Sequence, residues 1–181
     1  EGEGEGEGEQ AGKSQPCEGF AGASEQCLCV LSGLAGQQAS CDLKIAGANS
    51  DTRATSVQFD LVVDASVATY TGANCPSSDG SDLCNGATGG KLPSGHTLTS
   101  TAKPEGLSTF IAFLIGENFI TPAYYDGPVL VGDASFITVN YSLQEDSEGV
   151  EVSLPDFVGS NSGGVALDYS IEGGVIVTSA F

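Results

Sequence analysis

From Cys27 onward, apolar and polar residues alternate with a period of two over much of the chain. That rhythm belongs to strands with one buried face, because successive side chains of an extended backbone point to opposite sides. Cys41, Leu43 and Ile45 interleave with Ser40, Asp42 and Lys44. Over 56–63 the pattern is cleaner, setting Val57, Phe59, Leu61 and Val63 against Ser56, Gln58 and Asp60. The run FIAFLI at 110–115 is apolar on both faces. It suits a central strand covered on both sides, or one that carries an exposed apolar patch. Further strands are predicted at 136–143, 150–154, 165–171 and 175–178, separated by Gly, Asp, Asn and Ser clusters. No segment of about ten residues shows a capped helical period. Short, regularly spaced strands without helices predict an all-β, antiparallel β-sandwich.

Residues 1–9 read EGEGEGEGE, a flexible residue alternating with a like charge, so this stretch is expected to stay extended or disordered. The chain therefore divides into an acidic Glu-Gly spacer, 1–16, and one sandwich domain, 17–181, a length suited to a single core. Twenty-four acidic residues against five basic ones give a net charge of -19. That potential repels phosphate, and the last basic residue is Lys103, so nucleic acid is excluded as a partner. No apolar run approaches the ~20 residues of a membrane span, and no membrane insertion is expected. There is no methionine and no basic-plus-apolar leader, which fits a mature chain or an excised domain.

Six cysteines, Cys17, Cys27, Cys29, Cys41, Cys75 and Cys84, point to disulfides and an oxidising, extracellular or cell-surface location. Cys75 and Cys84 bracket CPSSDGSDLC, whose Pro, Gly and Ser let the chain fold back, and they are expected to pair. The other four allow three pairings, with Cys27 and Cys29 disfavoured as mutual partners because they share a strand face. Zinc on these four is disfavoured by a C-x-C followed by a long gap, which is not a finger or ribbon spacing. Calcium is the ion the acidic loop could take through Asp79 and Asp82, although the spacing reads better as a solvated turn. No metal site and no cofactor are assigned.

Catalytic candidates are few, and no enzyme is predicted. His96 lies in a Gly, Ser and Thr-rich stretch that reads as a loop or edge strand. The segment GSNSG at 159–163 has asparagine where a nucleophile elbow needs serine. Glu117, Asp126 and Asp133 could supply paired carboxylates, but in so acidic a chain such neighbours arise by chance. Asn140-Tyr141-Ser142 is a formal N-glycosylation sequon on a predicted strand, with Asn140 on the face opposite Ile137, Val139 and Tyr141.

Four segments taken in order resemble cohesin domains. CLCVLSGLAGQQASCDLKIAG (27–47) is similar to the opening strand pair, and TSVQFDLVVDASVATYTG (55–72) to the third and fourth strands with their intervening aspartate. STFIAFLIGENFITPAYYDGPVL (108–130) resembles the later apolar strand and its turn, and YSIEGGVIV (169–177) the closing strand. The resemblance covers roughly 27–181. It implies a sandwich of jelly-roll, Ig-like topology and a noncatalytic extracellular module that binds a dockerin. Such modules scaffold polysaccharide-degrading enzymes or attach proteins to cell surfaces. It further implies that the partner docks on one sheet face, with Ser56, Gln58 and Asp60 on that face and Leu114 and Glu117 beside them. The cysteines, the 75–84 loop and the acidic tail depart from the family pattern.

Two functions follow as expectations. The first is a protein-binding module whose partner is a dockerin-like helix pair or another surface component. The second is a self-associating subunit of an extracellular fibre or surface layer, assembled by strand addition at an open edge. Direct carbohydrate binding is a weaker third, since there is no tryptophan and only five tyrosines for sugar stacking.

Overall fold

The alternation at 40–45 becomes a strand in which Cys41, Leu43 and Ile45 are fully buried. The computed structural model describes residues 11–49, 51–52, 54–74, 90–91, 96–102, 107–114 and 135–181, and from 74 to 136 this covers backbone and pairing alone. Among the described residues there are twelve strands and no helix. They are β1 (Lys13–Gln15), β2 (Cys27–Gly33), β3 (Gln38–Gly47), β4 (Ser56–Val62), β5 (Ala68–Asn74) and β6 (Gly90–Lys91). They continue with β7 (His96–Ala102), β8 (Leu107–Leu114), β9 (Ser135–Leu143), β10 (Ser147–Ser160), β11 (Ala166–Glu172) and β12 (Val175–Ala180).

One hydrogen-bonded path runs β5-β9-β3-β12-β11-β10-β4-β8-β7-β6, and β2 joins β10 and carries β1 on its other side. The path bends where β11 meets β10 through only two pairs, Gly159 with Leu167 and Ser160 with Ala166. It therefore folds into two layers, β5-β9-β3-β12-β11 and β1-β2-β10-β4-β8-β7-β6. All pairings are antiparallel except β3 with β12, which is parallel. The β11–β12 hairpin closes through Gly173 and Gly174, whose φ values of 58° and 77° are those a two-residue turn of this hand requires.

A single apolar cluster takes side chains from both layers: Cys41, Leu43, Ile45, Ile137, Val139, Tyr141 and Ile176 from one, and Val57, Phe59, Leu61, Val152, Leu154 and Phe157 from the other. The two layers thus face each other over a shared core, an all-β sandwich as the pattern predicts. Phe59 and Phe157 stack with ring centroids 6.4 Å apart, and Tyr70 meets Tyr141 edge-on at 6.2 Å. β2 is buried on both faces, since Cys27, Leu28, Cys29, Val30 and Leu31 are all below the surface. The segment 17–26 covers its second face. There the ring of Phe20 sits on Gly149, where an added Cβ would collide with Phe20 Cε2.

Of the three pairings open to the N-terminal cysteines, the structure has Cys17–Cys27 and Cys29–Cys41, with Cα atoms 6.0 and 6.1 Å apart. Cys29–Cys41 crosses from β2 to β3 and so joins the two layers through the core. The expected Cys75 and Cys84 pair lies outside the described residues, as do Asp79 and Asp82. Lys13–Gln15, within the segment read as spacer, is β1, and Gly12 N donates to Gln38 O at 2.8 Å.

Candidate docking face

β4 is the centre of the face that the resemblance singles out. Its inward residues Val57, Phe59 and Leu61 are held by the core, so register forces Ser56, Gln58 and Asp60 outward. On one side β10 sets Ser160, Val158 and Asp156 opposite these three, in that order. On the other, β8 sets Ile111 opposite Gln58 and Thr109 opposite Asp60. The Ser56 and Ser160 hydroxyls are 2.6 Å apart and share a hydrogen bond. Gln58 is exposed, and Val158 beside it exposes 58% of its surface. Asp60 is half-buried next to exposed Asp156. Across β4 and β10 the face thus offers the apolar side chain of Val158 in a frame of hydroxyl, amide and carboxylate groups, with Ile111 of β8 in register beyond Gln58.

Leu114 ends β8, paired with His96 of β7. It has the register parity of Ala112 and Phe110, which pair with inward Val57 and Phe59, and not that of Ile111, which pairs with Gln58. Glu117, Asp126 and Asp133 lie outside the described residues. Ser56, Gln58 and Asp60 therefore form one row with β10, whereas Leu114 sits at the end of the neighbouring strand.

The end of the face near Ser160 is tied down by its neighbours. Thr55 N donates to Ser160 O at 2.8 Å. Asn161, nearly buried, then organises the next loop: its Oδ1 accepts from Gly163 N at 2.9 Å and Val165 N at 3.0 Å, and its Nδ2 donates to Asp51 O at 2.8 Å. GSNSG thus ends β10 at Ser160 and opens a structural loop built on its asparagine. Beyond the other end of β4, Asp64 Oδ1 accepts from Ser66 N at 2.9 Å and Ser66 Oγ at 2.6 Å. The Ser66 hydroxyl, then its amide, hold the Asp64 carboxyl below the ordinary 3.8. Tyr169 packs on Phe157 with centroids 5.1 Å apart. Its phenol is raised above the ordinary value by burial first, then by the charges of Asp156 and Asp168.

Sequence reasoning missed Asp156, Val158 and Ser160. Their signal is the alternation of exposed and buried positions over 156–160, which resumes after Pro155. The four N-terminal cysteines are oxidised in pairs, which leaves no thiolates for zinc.

No protein-family model matches the chain, and no curated protein sequence does. Among solved structures it is similar to the sixth cohesin of scaffoldin B from Acetivibrio cellulolyticus, determined in complex with a mutant dockerin. The TM-score is 0.53 at 11% sequence identity, over 92% of this chain and 96% of that one. At that identity the likeness is one of architecture: the chain has a cohesin-like β-sandwich fold.

Proposed function

We propose that the protein is a noncatalytic, extracellular protein-binding module that docks a dockerin-like partner on the outer face of β10, β4 and β8. The observation that carries this reading is the exposed Val158 beside Gln58, framed by Ser56, Ser160, Asp60 and Asp156. An apolar anchor point inside a polar frame is the layout of a small protein interface. The cohesin-like fold supports a partner of the dockerin kind, and the disulfides support an oxidising, extracellular location. On this reading the charge of -19 favours partners whose contact surface is basic or neutral.

Titration calorimetry against a panel of dockerins, with and without calcium, tests the proposal. The wild type should bind at least one, and Val158→Asp should weaken that complex by about 1 to 3 kcal/mol, which is about fivefold to 150-fold in affinity. An unaltered affinity in Val158→Asp and Gln58→Ala would remove this face from the interface. Failure to bind any dockerin, together with concentration-dependent light scattering of the chain alone, would favour the self-associating subunit instead.

A further inference from the structure

The outer face of the opposite layer is lined by small hydroxyl and amide side chains. Across β3, β9 and β5, Gln38 lies in register with Ser142 and Thr69, and Ser40 with Asn140 and Gly72. Asn140 opens Asn140-Tyr141-Ser142, the one Asn-x-Ser/Thr sequence in the chain. Its neighbours on the two sides differ. Toward β3, its Oδ1 accepts a hydrogen bond from Ser40 Oγ at 2.8 Å. Toward β5, the residue in register is Gly72, which has no side chain, while Thr71, the extra residue of the bulge beside it, turns its hydroxyl to Gln38 Oε1 at 3.4 Å. The bond to Ser40 turns Nδ2 away from β3, and among the described residues Nδ2 donates to no group. Tyr141 points the other way and is 1% exposed in the core, while Ser142 returns to the outer face.

We infer that Asn140 is an attachment site for an asparagine-linked oligosaccharide, carried on the layer opposite Ser56, Gln58 and Val158. The residue presents its nitrogen on the outer face with no hydrogen-bond acceptor among the described residues, and its partner hydroxyl at Ser142 shares its face. The two disulfides imply passage through an oxidising compartment, where such transfers occur. The donor is an oligosaccharide joined through its anomeric carbon to a lipid diphosphate. Nδ2 forms the new bond to that carbon, the carbon–oxygen bond to diphosphate breaks, the lipid diphosphate leaves, and the Nδ2 proton passes to a base of the transferase. Nothing is oxidised or reduced. Transfer precedes pairing of β9 on both edges, and the finished sheet then holds the sugar outward without disturbing the core beneath Tyr141. A sugar there would mask one broad face and leave the other open. The inference stands independently of the docking reading.

The full chain, secreted behind a cleavable signal sequence from a eukaryotic host, provides the test. Intact-mass analysis before and after peptide-N-glycosidase should show a single glycan whose release leaves aspartate at position 140. Asn140→Gln and Ser142→Ala should lose it completely, and Ser142→Thr should carry it at equal or higher occupancy. The glycosylated protein should match Asn140→Gln in circular dichroism and in its disulfides. A secreted wild type and Ser142→Thr that are both bare would overturn the inference. So would a glycan found only on aggregated material with reduced cysteines, because the sheet would then be unable to carry it.

Discussion

Asn161 links two loops far apart in the chain with one side-chain amide, accepting twice within 161–165 and donating once to Asp51 O. Its burial means that lost bonds are not replaced cheaply by water. Asn161→Ala is expected to lower stability by about 1 to 3 kcal/mol, read as a lower urea midpoint with an unchanged slope. An unchanged midpoint would show that the loops hold without it. This role was not legible in GSNSG, where every residue suits a turn, because the deciding partner is 110 positions away. Ser56, Gln58 and Asp60 were legible as an outward row because Val57, Phe59 and Leu61 alternate with them. Val158 was not, because it belongs to a strand that the pattern ended too soon.

β10 is that strand. The periodicity predicts 150–154, yet it runs Ser147–Ser160. Pro155 lacks an N–H and reads as a stop, but the ladder to β4 shifts register between Ser153 and Asp156, and the bulge accommodates it. The strand pairs with β2 before the bulge and chiefly with β4 after it. The polar β7 (HTLTSTA) escaped the period-two pattern, because it needs fewer apolar residues than a central strand does. The closeness of β10 to the segment covering β2 can be tested at Gly149, where a methyl group would collide with the Phe20 ring. Gly149→Ala should cost about 1 to 3 kcal/mol in thermal or denaturant unfolding. Phe20→Ala should recover part of that loss in the double mutant, and strict additivity would show that the two residues do not meet.

The molecule as a whole is a sandwich whose layers are joined by a shared core and by the Cys29–Cys41 disulfide. With a sequence separation of 12, that crosslink should contribute about 3 kcal/mol by restricting the unfolded chain. Replacing both cysteines by alanine should therefore lower the guanidinium midpoint while Cys17–Cys27 still forms, as non-reducing peptide mapping would show. A midpoint that does not move would mean the core alone sets the stability. Fold class was legible because a two-residue period leaves little choice but stacked sheets. Disulfide connectivity was not, since the pairings depend on which strands the topology brings together.

The parallel contact between β3 and β12 also bears on mechanical load. Tension entering ahead of Cys17 would bypass the intervening loops through the two covalent crosslinks and reach β3 at Cys41. Tension leaving past Ala180 would draw β12 the opposite way along the same axis. The rungs from Lys44 and Val175 to Gly47 and Thr178 would then be strained together in shear and not peeled open one by one. A domain wired in this manner would yield late under load.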